Sequence, residues 1–110
     1  MDWKSIVVYL LLLNRANYVL GWVKLSSGGT IGTVVDTRII FALALKTNAS
    51  SIIVSHNHPS QNLTPSEEDR RITKAIIEAG KLFNIKLLDH FIVASKGTYF
   101  SFADEGILSF

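Results

Sequence analysis

The sequence predicts a single domain of the α/β (α+β) class, in which strands and helices alternate along the chain. Its 110 residues suit one domain. With 48% hydrophobic and 18% charged residues, the chain has enough apolar material for one core and too little charge for disorder. Apolar runs typical of buried strands alternate with runs that have the 3.6-residue spacing of helices. Such alternation is typical of a sheet covered by helices.

Charge and cysteine content limit the functions that the sequence allows. The formal net charge is +2, and the 11 lysine and arginine residues form no block that would indicate a surface for nucleic-acid phosphates. The chain has no cysteine, which excludes disulfides and thiolate metal sites and suits a reducing compartment. The longest apolar run, at 6–13, is far shorter than the roughly 20 residues of a membrane span. We therefore expect a soluble cytoplasmic protein with no membrane partner.

The first part of the chain predicts a strand hairpin. The run at 6–13 is continuously apolar, as in a central strand covered on both faces. The segment 18–25 indicates a second strand that pairs with the first. The glycine-rich segment 26–32 lacks the GK[ST] sequence of a phosphate-binding loop, so we interpret it as a turn.

A helix follows the hairpin. Asp36 is placed to cap a helix that runs through Lys46 and ends at Asn48. The sequence of this helix is apolar nearly all round, so we expect the helix to be buried.

The third predicted strand, at 50–56, carries a histidine and is followed by another. The side-chain period of two places His56 on the face of Ile52 and Val54, and it adds His58 if the extended conformation persists. Both imidazoles therefore point to the same side.

The segment "TPSE" predicts the start of a second helix. Thr64 is the expected N-cap, Pro65 the first helical residue, and Glu67 the residue that completes a capping box. We expect the helix to run to about Phe83.

The apolar residues of the second helix predict one stripe that faces the core. Its members are Ile72, Ala75, Ile76, Ala79, Leu82 and Phe83. Extending the stripe backwards points Ser66 and Asp69 toward the sheet, where a carboxylate requires a partner. Two further strands, at 86–94 and 97–102, complete the predicted sheet.

His56, His58 and Asp69 form a candidate metal site. Two imidazoles on one side of a strand end and an inward carboxylate on the next helix can converge on one point. Catalytic zinc typically has three nitrogen or oxygen ligands and lowers the pKa of bound water to about 7. The alternative is a polar loop with exposed histidines and an acid stabilised by the helix N-terminus. The H-x-H pattern alone would favour that alternative, since short motifs often match by chance.

The full spacing of the motif is more specific than H-x-H. His56 and His58 are followed after seven residues by Ser66, and after two more by Asp69, which resembles the signature of JAMM (MPN+) metalloproteases. The segments "HNHPS", "TPSEED", "LLDHFIV" and "FADEG" are similar to the JAMM-type domain of RadC-family proteins, which are traditionally named DNA repair proteins. The resemblance extends over 11–108, almost the whole chain.

The resemblance implies a JAB/JAMM fold, a mixed sheet with helices packed on it that is related to the cytidine deaminases. It implies a single domain over 1–110, without the N-terminal helical domain of the family. In the family's terms, His56, His58 and Asp69 hold Zn²⁺. Ser66 is then catalytic, because its hydroxyl stabilises the oxyanion that forms during amide hydrolysis. Deaminase activity is not carried over, since its H-x-E and P-C-x-x-C motifs are missing from the sequence.

One departure from the family concerns the catalytic base. JAMM enzymes use a glutamate on the first strand to move a proton from water to the leaving amine, and Ile6 stands at that position here. Asp2 and Asp36 are not convincing replacements, and Glu67 does not share the direction of Asp69. Loss of a general base costs about 10² to 10⁴-fold in rate.

Two classes of function remain. The first is a zinc metallopeptidase or hydrolase that acts on a peptide or isopeptide bond. The second is a non-catalytic module, associated with DNA or with a protein partner, that keeps the JAMM fold. The sequence identifies no substrate. The apolar first strand and the short C-terminal tail are compatible with a homodimer and equally with a monomer whose sheet they complete.

Three polar residues near the motif have separate interpretations. Gln61 stands where the family often has glycine after "HNHPS". His90 lies on an apolar strand face, which predicts a core histidine bonded to a neighbour instead of a fourth ligand. Asp89 belongs to the opposite face, and the sequence indicates no role for it.

Overall fold

The computed structural model describes residues 5–27 and 35–108, which form one five-stranded sheet and two helices. The strands are β1 (Val7–Leu13), β2 (Val19–Ser27), β3 (Ser51–Asn57), β4 (Lys86–Val93) and β5 (Tyr99–Ser101). The helices are α1 (Thr37–Lys46) and α2 (Glu67–Phe83). The strand order is β2-β1-β3-β4-β5, with β3 parallel to β4 and the other neighbouring pairs antiparallel. This is the predicted α/β (α+β) fold with a mixed sheet.

The predicted hairpin of the first two strands is confirmed. β1 pairs with β2 on one side and with β3 on the other, so it lies inside the sheet. Val8, Leu10 and Leu12 on its core face are at most 2% exposed. β2 includes residues 26 and 27, and the rest of the turn predicted at 26–32 lies outside the described residues.

Helix α1 is capped as predicted but is not buried on all sides. Its N-cap is Asp36, and Asn48 beyond its end has a φ of 58°, the left-handed conformation typical of helix ends. The buried residues of α1 are Ile40, Phe41 and Ala44. Ile39 and Leu45 are each 52% exposed, so the expectation of burial all round is wrong. The helix packs through one side only, and an apolar sequence without periodicity does not show which side that is.

Helix α2 begins two residues later than predicted. Its N-cap is Ser66 instead of Thr64, and its capping box is closed by Asp69 instead of Glu67. The Ser66 hydroxyl accepts a hydrogen bond from the Asp69 N–H at 3.0 Å, and the Asp69 carboxylate accepts one from the Ser66 N–H at 2.8 Å. The sequence fits both boxes, but the burial of Asp69 favours the second. Pro65 therefore precedes the helix.

The inward face of α2 also differs from the predicted stripe. The helix buries Asp69, Thr73, Ile76 and Gly80, whereas the predicted members Ala75 and Leu82 are exposed. The buried face includes Asp69, as predicted, but continues through Thr73 and Gly80 instead of Ala75 and Leu82. Gly80 allows a close approach to the chain that enters β4, because a Cβ at this position would clash with the carbonyl oxygen of Ile85.

The apolar core joins both helices to the sheet. Its largest fully buried aliphatic members include Leu10 of β1, Ile40 of α1, Ile52 of β3 and Ile76 of α2. Phe41 of α1 stacks on Phe83 of α2 with ring centroids 5.6 Å apart. Within the described ranges, neither helix has the length and apolarity to cross a membrane.

Candidate metal centre

The three predicted ligands meet where β3 ends. His56 lies near the end of β3, His58 follows the strand, and Asp69 lies in the first turn of α2. The Asp69 carboxylate lies between the two imidazoles, with Oδ1 3.1 Å from His56 Nε2 and Oδ2 2.8 Å from His58 Nε2. One ligand atom of each residue lies within 4.8 Å of the others. Residues from a strand end and a helix start thus converge as the sequence predicted.

His56 is positioned by strand pairing on both sides of β3. Val8 of β1 opposes it across one pair and Ile92 of β4 across the other. It continues the buried face of Ile52 and Val54 and is 1% exposed. The sheet therefore fixes the backbone from which this imidazole projects.

His58 is oriented by the loop between β3 and α2. Its Nδ1 lies 2.6 Å from the carbonyl oxygen of Asn62, which can only accept, so Nδ1 carries a proton and donates it. The hydrogen bond to Asp69 raises the pKa of His58, burial opposes this shift, and the Asn62 carbonyl adds to it. Without a metal ion, a second proton on Nε2 bridges to Asp69; a metal ion would replace that proton.

Asp69 is a buried carboxylate held ionised by its neighbours. Burial raises the pKa of its carboxyl group, but the rings of His56 and His58 and the Ser66 N–H lower it more. The pKa of Asp69 therefore lies well below its ordinary value. A negative charge with 1% exposure requires a positive partner.

The ring nitrogen His56 Nε2 is buried and has no hydrogen-bond partner among the described residues. Although it lies 3.1 Å from Asp69 Oδ1, the two groups are not aligned as a hydrogen bond. A cation bound by both groups would satisfy the nitrogen and the carboxylate together. Two imidazole nitrogens and one carboxylate oxygen are a ligand set that zinc accepts at catalytic sites. The residues present therefore fit such an ion.

His90 is a core histidine, as predicted, and lies behind His56. Its Nε2 is 2.8 Å from His56 Nδ1, and its Nδ1 is 2.6 Å from Thr73 Oγ1. Its ring stacks on Phe102 at 4.7 Å with an interplanar angle of 10°. Burial first, and then the nearby His56, lowers the pKa of His90 to about 3, so the ring is neutral at neutral pH.

Asp89, whose role the sequence left open, ties β4 to β5 and to the residues after it. Its carboxylate accepts hydrogen bonds from the Ser101 hydroxyl, from the Ala103 N–H and from the N–H of His90. These contacts are structural and lie outside the group of three ligands.

Ser66 was expected on the inward stripe of the second helix, and it is the N-cap that precedes α2. It is exposed at the N-cap of α2, and its hydroxyl oxygen accepts the Asp69 N–H. It touches the candidate metal centre through Asp69. Its own hydroxyl proton is not used in that bond.

Ile6 immediately precedes β1. It is half-buried and packs against the apolar core. Val8 shares a face with His56 because the two residues are directly opposed, and alternation adds Ile6 to that face. Asn57 holds this end of the strand pair, accepting from Val7 N–H at 2.7 Å. A glutamate at position 6 would therefore extend from the correct side of the sheet.

Gln61 occupies a backbone conformation that favours glycine. Its φ is 65°, which accounts for the glycine that the family often has here. Its side-chain carbonyl oxygen accepts hydrogen bonds from the N–H and the hydroxyl of Ser95 at 2.7 and 2.8 Å. The loop that carries His58 is thereby tied to the turn between β4 and β5.

Two polar residues that contact the site, Asn62 and Thr73, were not predicted from the sequence. Asn62 contacts His58 through its backbone carbonyl, so the type of its side chain gives no indication of that contact. The sequence gives a weak indication that Thr73 lies near the site, because it follows Asp69 by four residues and therefore lies on the same side of α2.

A mixed sheet with two helices packed on it is consistent with the JAB fold that the resemblance implies. The sequence model of the RadC-like JAB domain matches residues 2–107. The chain therefore belongs to the RadC-like JAB domain family.

Several bacterial proteins are similar to this chain along most of its length. It is 46% identical to a UPF0758 protein of Flavobacterium johnsoniae over 99 residues, which cover 90% of this chain and 43% of that protein. It is 43% identical to a UPF0758 protein of Porphyromonas gingivalis over 101 residues, covering 92% and 44% of the two chains. For a UPF0758 protein of Thermotoga maritima, the identity is 41% over 102 residues, covering 93% and 46%. The chain spans less than half the length of these relatives.

Proposed function

We propose that this RadC-family domain binds one zinc ion through His56, His58 and Asp69 and is a metallopeptidase-type hydrolase domain that lacks its general base. The observation that carries the proposal is the buried, unpartnered Nε2 of His56 beside the Asp69 carboxylate. A buried polar nitrogen without a partner is costly, and a bound cation would remove that cost. Metal binding requires an ionised carboxylate, and the lowered pKa of Asp69 provides one.

The proposed reaction is hydrolysis of a peptide or isopeptide bond. A bound zinc ion supplies a Lewis acid and lowers the pKa of water at neutral pH. Ser66 is suited to donate to the developing oxyanion, because it accepts the Asp69 N–H and keeps its own proton available. A donor of this kind is worth about 3 kcal/mol in other hydrolases.

Ile6 limits the proposed activity. Its side chain cannot accept a proton from water or deliver one to a leaving amine. Without such a group, the rate is expected to fall by about 10² to 10⁴-fold. The isolated domain is therefore a weak hydrolase at most.

Ile6 also favours a second candidate function, that of a non-catalytic module. Such a module would keep the metal centre as a structural element and bind DNA or a protein partner. Both candidates include the ion, but they differ in the activity expected once a carboxylate is restored at position 6.

Metal analysis of the purified protein tests the metal centre. We expect one zinc per chain in the wild type and negligible zinc in the His56→Ala, His58→Ala double variant. The control is the Lys81→Ala, Lys96→Ala double variant, which changes two exposed residues outside the group of three ligands and should bind as the wild type. Equal, negligible zinc in the wild type and in the histidine variant would end the proposal.

A restored base separates the two candidate functions. The zinc-loaded Ile6→Glu variant should hydrolyse peptides or isopeptide-linked conjugates faster than the wild type. Ile6→Gln has a side chain of the same length but no base, so it should show no gain. Absence of a gain in Ile6→Glu, with zinc bound and the fold intact, would favour the non-catalytic module.

A further inference from the structure

A chain of buried hydrogen bonds connects two of the candidate ligands behind the metal centre. It runs from His56 Nδ1 to His90 Nε2 at 2.8 Å, and from His90 Nδ1 to Thr73 Oγ1 at 2.6 Å. The Thr73 hydroxyl then donates to the carbonyl oxygen of Asp69 at 2.8 Å. His56, His90 and Thr73 are at most 1% exposed, so water does not compete for these bonds.

The proton in each of these three hydrogen bonds can be assigned by starting from the group that can only accept. The Asp69 carbonyl oxygen can only accept, so the single Thr73 hydroxyl proton is used in that bond. Thr73 Oγ1 must then accept from His90 Nδ1–H. A neutral His90 consequently accepts at Nε2, and His56 donates from Nδ1. The remaining nitrogen of His56, Nε2, therefore presents a lone pair beside Asp69.

We propose that His90 and Thr73 are positioning residues of the metal centre, which hold His56 in the Nδ1–H tautomer and aim its Nε2 lone pair at the cation. This inference rests on the proposed metal binding. Neither residue contacts the cation or a substrate. They act through His56, in the way that outer hydrogen bonds fix the tautomer and orientation of metal-binding histidines.

The opposite arrangement of protons would not bind a cation. With a proton on His56 Nε2, its Nδ1 would accept from His90, and the Thr73 hydroxyl would have to turn from Asp69 to His90 Nδ1. That arrangement gives up the bond to the Asp69 carbonyl. The Thr73–Asp69 bond therefore favours the arrangement that leaves Nε2 free.

Packing alone does not require a histidine at position 90. The ring of His90 lies nearly parallel to that of Phe102, a contact that a phenylalanine would also make. His90→Phe is therefore a variant that keeps the stacked aromatic ring and removes both hydrogen bonds, although the larger ring must fit a fully buried position. Thr73→Val likewise retains the shape of Thr73 and removes its hydroxyl, whereas Thr73→Ser keeps the hydroxyl.

The test is a competition titration with zinc on the folded wild type and on these three variants. We expect His90→Phe and Thr73→Val to weaken zinc binding by about 10 to 100-fold, the effect typical of lost outer hydrogen bonds. Thr73→Ser should bind close to the wild type. Nitrogen NMR on the zinc-loaded wild type should place a proton on Nδ1 of both His56 and His90.

The outcomes separate this inference from the proposed function. A wild type that binds no zinc overturns both. The positioning role alone is overturned if Thr73→Val binds zinc as tightly as the wild type, or if Thr73→Val and Thr73→Ser lose affinity equally. If His90→Phe does not fold, the two Thr73 variants decide the question. A zinc-loaded protein in which His56 lacks its Nδ1 proton also contradicts the inference.

Discussion

The two halves of α2 face the same sheet with different chemistry. The first half buries Asp69 and Thr73, a carboxylate and a hydroxyl, in a network with the three histidines of the chain. The second half buries Ile76 and Gly80 against the apolar core and the entry to β4. Buried polar groups contribute little net stability compared with well-packed apolar ones. The apolar half therefore anchors the helix, whereas the polar half carries the proposed metal site.

The largest effect on zinc affinity should follow from removing the charge of Asp69 in the polar half of α2. Asp69→Asn keeps the size of the side chain but removes the charge that a cation needs. We expect zinc affinity to fall by at least about 100-fold, more than for loss of an outer hydrogen bond. Zinc titration measures this.

Glu78→Gln is the matched control for that experiment. It makes the same chemical change at an exposed position of the same helix and should leave zinc affinity unchanged. If both variants lost affinity equally, net charge and not the site would explain the binding.

A substitution in the apolar half should reduce the stability of the protein and leave its zinc affinity unchanged. Ile76 is fully buried, so Ile76→Ala leaves a cavity and should reduce the free energy of unfolding by about 2–5 kcal/mol. Its zinc affinity in the folded state should equal that of the wild type. Denaturant unfolding and zinc titration check the two parts, and a loss of affinity as large as in Asp69→Asn would break the division between the halves.

The pH dependence of the metal-free protein sharpens the comparison, because His58 and His90 titrate in contact with Asp69 and Thr73 of the polar half. The pKa of His58 is raised by folding from 6.5, so its contribution to stability is complete below that value and is lost as the pH rises through the raised pKa. The pKa of His90 is lowered to about 3, so stability falls as the pH drops from 6.5 toward 3. Asp69, with its lowered pKa, adds a loss only below the ordinary range of a carboxyl.

The metal-free protein should therefore be most stable near pH 6.5. Thermal unfolding in a chelator over a series of pH values measures this. Ile76→Ala should keep the same profile at lower stability, whereas His90→Phe should flatten its acid side. A profile that rises steadily above pH 6.5 would contradict the raised pKa of His58.

The smallest effect, a change in the free energy of unfolding, is expected from substitutions in the loop that leads to α2. Gln61→Gly relieves a left-handed conformation but loses the hydrogen bonds to Ser95, so the change in stability should stay within about 1 kcal/mol. Gln61→Ala loses the same bonds without relieving the conformation, and it should be less stable than Gln61→Gly. Equal stability of the two variants would show that the backbone at this position is not strained.

The sequence predicted the candidate ligands because their placement follows from local rules. Alternation along β3 sets the direction of His56, and the 3.6-residue period of α2 sets that of Asp69. The start of α2 was predicted two residues early, because "TPSE" and "SEED" both fit a capping box. Only the burial of Asp69 against the histidines distinguishes them, and that contact is not local.

The remaining errors also concern contacts between distant parts of the chain. The sequence of α1 has no polar face, so nothing in it indicated that Ile39 and Leu45 would stay exposed. The pairing of His90 with Thr73 and His56 depends on the parallel register of β3 and β4 and on the rotation of α2. None of these can be obtained from spacing alone.

The most direct measurement of the central claim is X-ray absorption spectroscopy at the zinc edge, with crystallography of the zinc-loaded protein. We predict one zinc per chain, bound by Nε2 of His56 and of His58 at about 2.0–2.1 Å and by a carboxylate oxygen of Asp69 at about 2.0–2.2 Å. Zinc bound at another place, or a site that lacks either histidine, would contradict the account.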